Sequence, residues 1–170
     1  MPKFFAALII SGLILLQGCD KGIEPGEPVL PGSFRGSVSF SGTWPEGIKR
    51  THIVVFKNPL LTANDFSIQN FAFIVDSIPY RDTIYSYNSL EDNFLADIIT
   101  LYPGEYKYVA VAQSNTPEIS FLRKDWTVVG VYCLNDDQTR PKSLIIRSNQ
   151  VTPDVNIKVD FNNPPPQPPM

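Results

Sequence analysis

Between Ser33 and Asn162 the apolar positions recur with period two. Phe34, Gly36, Val38 and Phe40 alternate with Arg35, Ser37, Ser39 and Ser41, the pattern of a strand with one buried and one wet face. Near the other end Val155, Ile157, Val159 and Phe161 alternate in the same way with Asn156, Lys158 and Asp160. Three interior runs, 52–56, 106–112 and 128–134, are apolar on both faces. They are β-branched or aromatic and predict strands in the middle of a sheet. Pro103-Gly104 marks a turn before the second of them. Residues 71–76, 81–87, 94–100 and 143–147 bring the set to about eight or nine strands.

No window holds an apolar stripe at helical spacing for three turns. In 59–66, Leu60, Leu61, Ala63 and Phe66 come nearest, but Asn64-Asp65 limits that segment to one turn. In 116–126, Ile119, Phe121 and Leu122 follow Pro117-Glu118 and predict a short helix or an ordered loop across the sandwich edge. Many short strands without long helices predict an all-β fold, an antiparallel two-sheet sandwich. No internal repeat stands out.

The two ends differ from this middle. After Lys3, an apolar stretch from Phe4 to Leu16, broken by Ser11 and Gly12, is too short to cross a membrane as a mature helix and reads as an export signal. Residues 19–32 carry Gly22, Pro25, Gly26, Pro28, Pro31 and Gly32, which suits a flexible tether. Residues 162–170 are rich in proline and favour polyproline II, as an ordered or frayed coda or as a ligand for a proline-recognising partner.

Leu16-Gln17-Gly18-Cys19 resembles the lipobox of bacterial lipoproteins, with Gln17 a less usual occupant of its position. The resemblance implies a diacylglyceryl group on the Cys19 thiol and cleavage before it. It divides the chain into a signal peptide (1–18), a tether (19–32), a sandwich domain (33–161) and a proline-rich tail (162–170). The expected partners are the membrane, through lipid on Cys19, and an envelope protein. A soluble secreted protein cleaved nearby and an uncleaved anchor are the alternatives. Asp20 resembles a sorting residue that directs lipoproteins to the inner membrane in some bacteria and to the surface in others. The expected location is the cell envelope, with the outer membrane or cell surface ahead of the inner membrane.

The middle of the chain has its own resemblance. Gly36-Ser37-Val38-Ser39-Phe40, then Val54-Val55-Phe56, then Tyr102-Pro103-Gly104-Glu105-Tyr106 running into Val109-Ala110-Val111, resembles the prealbumin-like or carboxypeptidase regulatory-like sandwich, related to transthyretin. Such sandwiches are generally accessory or structural parts of exported proteins. The extra length in 60–94 and 114–126 implies an added hairpin or ordered loop.

Charge and chemistry narrow the function further. The formal charge of −3 falls by one when Lys3 leaves, and the longest basic cluster, Arg123-Lys124, meets Asp125 at once, which argues against nucleic acid. Only Cys19 and Cys133 are present, so a lipidated chain stands without a disulfide, and Cys133 reads as a small buried hydrophobe. His52 is the sole histidine, so zinc has no second imidazole, and at the start of a strand its expected role is surface or interstrand hydrogen bonding rather than metal binding or general-base work. Asp136 and Asp137 are weak calcium candidates, with turn chemistry the competing explanation. No glycine-rich phosphate loop links a strand to a helix, and no cofactor is expected.

Aromatic residues are the more suggestive class. Trp44, Phe121 and Trp126 lie near strand boundaries and are the binding candidates, against a role in capping the sandwich core. The expectation is a noncatalytic, membrane-tethered structural or protein-binding module. A carbohydrate- or small-ligand-binding lipoprotein is the alternative, and a hydrolytic enzyme follows behind it.

Overall fold

The computed structural model describes residues 28–170; the signal segment, Cys19 and most of the tether lie outside the described residues. The chain is all-β, with strands packed as in a sandwich. In the first sheet β1 (Ser33–Ser41) is central, and β4 (Ile84–Asn88) runs antiparallel along one side of it. Along the other side, β11 (Val151–Thr152) and β12 (Ile157–Asp160) pair with its beginning and its end. Both of these pairings are parallel, a departure from the wholly antiparallel expectation. No hairpin joins β1 to strands more than a hundred residues later, so connectivity does not impose antiparallel pairing.

Gly36 makes this arrangement fit. It lies on the core-facing side of β1, and a Cβ there would sit 2.1 Å from the Val155 carbonyl oxygen. The chain between β11 and β12 fills that space. The Val155 N–H donates to Arg35 O at 3.1 Å, and the buried Tyr87 hydroxyl donates to Val155 O at 2.5 Å. Burial holds the Tyr87 phenol far above its usual pKa.

The second sheet is antiparallel in the order β3 (Phe71–Ile74), β2 (Arg50–Phe56), β6 (Tyr108–Ser114), β7 (Thr127–Val131). Its pleat sends Ile53, Val55, Phe73, Val109, Val111 and Val129 into the main core, against Phe34, Val38, Tyr87, Ile157 and Val159 of the first sheet. Phe34 meets Phe73 and Tyr87 edge-on, each at 5.7 Å. Gly130 lets the two sheets close together, since a Cβ there would lie 2.8 Å from the Val159 side chain.

The opposite face of the second sheet is apolar as well. Phe56, Tyr108, Ala110, Val128 and Val131 form a second cluster with Leu60, and Val54, Phe66, Phe71 and Cys133 pack against it. Among the described residues no third large sheet covers this face; loops, the tail and the small β8–β9 hairpin do. Two small pairs complete the fold: β5 (Gly104–Tyr106) with β10 (Leu144–Ile146), and the hairpin β8 (Cys133–Leu134) with β9 (Asp137–Pro141). Asn135 and Asp136 link β8 and β9 at φ of 55° and 61°, as a two-residue hairpin turn of type I′ requires.

Several predicted elements change. Residues 94–100 are turns rather than a strand, because Asn93 organises them: its Oδ1 accepts from Leu95 N at 3.0 Å and its Nδ2 donates to Ile99 O at 3.0 Å. The run 128–134 divides at Tyr132, whose N–H continues the β6 ladder to Val109 O at 2.9 Å while its C=O accepts from Lys142 N at 2.8 Å on the β9 side. The segments 59–66 and 116–126 each hold one short 3-10 turn, Ala63–Asp65 and Arg123–Asp125. The tail is ordered, with Pro165 and Pro168 buried. Its Gln167 amide clamps β7, accepting from Val128 N at 2.9 Å and donating to Val128 O at 2.7 Å.

Replacing Gly36 by alanine is expected to cost about 2–3 kcal/mol, because the new methyl meets backbone that cannot rotate away. Ser39→Ala on the wet face of the same strand should stay within about 0.5 kcal/mol of the parent. Urea denaturation of both variants checks the contrast.

Candidate functional site

The outer face of the second sheet is covered by separate segments, and the cover leaves a gap. Val54, Ile74 and Ala112 form its floor. Phe66, Ile68 and Phe71 stand on one side, Ile119, Phe121 and Trp126 on another, and Leu95 comes from the turns after β4. Ser67 and Ser120 supply the only polar side chains of the lining, and it contains no ionisable residue. The cleft encloses about 60 Å³, whereas sites that engulf a small ligand run to about 300–1,000 Å³. It has room for the tip of an apolar side chain.

Polar staples hold the walls. The Asp65 carboxylate accepts from Thr62 N at 2.7 Å, Leu61 N at 2.9 Å and Thr62 Oγ1 at 3.0 Å. Those bonds, led by the Thr62 backbone, keep its pKa below the ordinary carboxylate value. Asn70 ties the same loop together, donating to Asp65 O at 2.9 Å and accepting from Asn58 N at 2.8 Å. On the far side the Trp126 indole donates to Ser120 O at 2.8 Å and Arg50 Nε donates to Pro117 O at 2.6 Å. Arg123 donates to Trp126 O and, at 2.8 Å, to Pro168 O, so it joins the wall to the tail.

The three aromatic candidates separate. Phe121 and Trp126 both line the cleft, Trp126 as a buried wall and Phe121 with 59% of its surface exposed at the rim. Trp44 packs elsewhere, its ring 4.7 Å from Phe40, 5.1 Å from Phe161 and 5.5 Å from Tyr80. Its indole donates to Asp82 O at 3.1 Å, and its neighbours Phe40 and Phe161 rest on the main core. Ile68, Leu95 and Ile119 belong to the cleft although nothing in their local pattern singles them out. The apolar outer positions of 52–56 and 106–112 were the signal that some cover had to exist.

His52 lies in the floor layer beside the cleft, fully buried, opposite Ala112 across the β2–β6 ladder. Its Nδ1 faces Val75 O at 2.9 Å, so the proton sits on Nδ1 and donates to that carbonyl. Nε2 has no hydrogen-bond partner among the described residues. The Phe94 ring stands 5.3 Å from the imidazole and the Trp126 ring 6.1 Å. Burial lowers the His52 pKa, with Arg50 adding to that and the Val75 bond and Asp76 opposing it.

The remaining candidates have structural partners. Asp136 pairs with Lys158 at 2.7 Å, and Asp137 accepts from Thr139 Oγ1 at 2.6 Å and Thr139 N at 3.0 Å. No group of three or more metal-ligating side chains occurs among the described residues. Cys133 is half-buried, and burial with Asp136 and Asp137 nearby raises its thiol pKa, favouring the protonated form. Among the described residues no helix is long and apolar enough to cross a membrane.

No protein-family model, curated protein or solved structure matches the chain. The cleft can therefore be judged only by its own chemistry. It offers apolar contact, a rim aromatic and little hydrogen bonding, which suits capture of an apolar side chain better than proton transfer.

The His52 position has a consequence for stability. Above its unfolded-state pKa of 6.5 both states are neutral. Below it the unfolded chain binds a proton that the folded chain resists, so stability falls with pH, by up to about 1.4 kcal/mol per pH unit, until the folded imidazole is itself protonated. Since His52 is the sole histidine, an NMR titration of the imidazole reads it without ambiguity. A midpoint below 6.5 is expected, and one at or above 6.5 would contradict the burial argument.

Proposed function

We propose that the chain is a noncatalytic lipoprotein, held to the bacterial cell envelope through lipid on Cys19, whose sandwich binds another protein. Leu16-Gln17-Gly18-Cys19 behind a short apolar segment supports the anchor. The prealbumin-like reading of the sandwich rests on Gly36 in β1 and on Pro103-Gly104 leading into β5 and β6. In this reading residues 19–32 tether the sandwich to the outer membrane or cell surface.

One observation carries the binding reading: Phe121 is exposed at the rim of an apolar cleft whose walls are fixed by hydrogen bonds. A preorganised apolar depression beside an exposed aromatic is the arrangement of a protein-interaction hot spot, where burying one anchor gains most. The small volume and lack of ionisable lining favour a protein side chain over a sugar or a reacting substrate. Trp44, with its N–H satisfied and its ring among Phe40, Phe161 and Tyr80, acts in this account as a lid on the end of the core.

A single experiment joins both parts. Cells of the source organism are fed labelled palmitate while they express the chain with a photo-crosslinking phenylalanine analogue in place of Phe121. Label on the chain, lost in C19A, is expected, together with a labelled adduct of discrete size after irradiation. Unchanged labelling in C19A would sink the anchor, and irradiation without an adduct would sink the cleft as a protein-binding site.

A further inference from the structure

Among the described residues, the first sheet leaves its β4 edge open. Phe40 N donates to Thr83 O at 2.9 Å and Ser89 N donates to Phe34 O at 2.9 Å. With the register running from Arg35↔Asn88 to Ser39↔Ile84, this phase turns the N–H and C=O of Tyr85 and Tyr87 toward β1. Those of Ile84, Ser86 and Asn88 point away. Asn88 is already engaged: its N–H donates to Asp92 Oδ2 at 2.7 Å, and its C=O accepts from Glu91 N and Asp92 N. The outward backbone groups of Ile84 and Ser86 have no partner among the described residues. Both residues are exposed, Ile84 by 65%.

The other edges are guarded. Gln167 clamps Val128 on β7, and Gln138 Oε1 accepts from Val131 N at 3.1 Å. Beyond β3, Val75 bridges to Asn93 and Phe94 N reaches Ile74 O. The far strand of the first sheet, β12, carries Lys158 and Asp160. Proteins protect unpaired edges by such covers, charges, prolines or bulges. β4, with sequence Ile84-Tyr85-Ser86-Tyr87-Asn88, has no charge, no proline and no break in register.

We infer that β4 is a docking edge for an extended segment of a partner protein that carries lysine or arginine on both sides of an uncharged β-forming core. Charge selects that occupant. Asp92 Oδ2 and Glu91 Oε1 accept from Asn88 N and Nδ2 at 2.7 and 3.1 Å at one end of β4, and Asp82 precedes the other end. With Asp76, whose charge also acts on Tyr85, these four carboxylates outnumber the two nearby cations, Arg35 across the ladder from Asn88 and Arg81 over the Tyr80 ring. A second copy of this chain pairing through β4 would set two such acidic surroundings against each other, whereas a cationic segment neutralises them. Main-chain bonds to Ile84 and Ser86 would supply the register. This adds a second surface to the protein-binding reading, on the opposite sheet from the cleft, so either can fail without the other.

Hydrogen exchange of the full-length chain in detergent micelles tests it. The probe is a short peptide of alternating threonine and valine with paired lysines at both ends. Saturating peptide is expected to slow exchange at Ile84 and Ser86 by at least about tenfold. Raising salt from about 0.05 to 0.5 M should weaken binding by at least about tenfold. Ser86→Pro removes an outward N–H without touching a bond to β1 and should abolish binding. Asp76→Asn with Asp82→Asn leaves β4 intact and should weaken binding while flattening its salt dependence. Unchanged exchange at Ile84 and Ser86, equal binding of a peptide with glutamates in place of the lysines, or self-association that already protects both amides would each overturn the proposal.

Discussion

Everything in this fold answers to one constraint: β2 and β6 are apolar on both faces. A sheet with one wet face needs one layer of cover, and β1 and β12 show that simpler case, with Ser37, Ser39 and Lys158 turned outward. The second sheet sends Ile53, Val55, Val109 and Val111 one way and Val54, Phe56, Tyr108 and Ala110 the other. Burying only one of these sets would leave a large apolar surface in water. The first sheet closes over the inner set. Irregular segments must then cover the outer set, and irregular backbone can approach a sheet only if its own polar groups are satisfied locally.

That requirement explains the chemistry of the loops. The side chains of Asp65, Asn70, Asn93 and Ser120 all bond to backbone of their own or neighbouring segments. The proline-rich tail has few N–H groups to satisfy, and Gln167 imitates a strand by presenting both a donor and an acceptor to Val128. Separate loops cover a flat face less completely than a third sheet would. The cleft under Phe121 is one place where their edges do not meet; a wider hollow lies between Leu60, Tyr108, Thr139 and the prolines of the tail. Structural cover and candidate site thus have one cause, and in the same layer His52 Nε2 has no hydrogen-bond partner among the described residues.

Much of this was legible from residue periodicity. The alternation in β1 and β12 and the continuous apolar runs of β2 and β6 predicted both kinds of strand, and the all-β class with them. Phe121 and Trp126 stood out as aromatics near strand ends, and they share the cleft. Local pattern did not reveal that Trp44 packs with Phe161, since that contact joins residues more than a hundred apart. Residues 94–100 read as a strand because their side chains are apolar, while the decisive influence was the Asn93 side chain just outside the run. The tail looked like a coda because its composition cannot form a core element; its partner, the exposed edge of β7, exists only in three dimensions.

The central claim is that the loops and tail form a second packed layer whose loss opens the second sheet from outside. Native-state hydrogen exchange on the full chain and on a chain ending at Asn163 tests it most directly. Without the tail, the amides of Val128 and its neighbours in β7 and β6 should lose protection, while those of β1 that pair with β4 keep theirs. Equal protection of β6 and β7 in the two chains would show that the outer face stands without its cover, and would contradict the account.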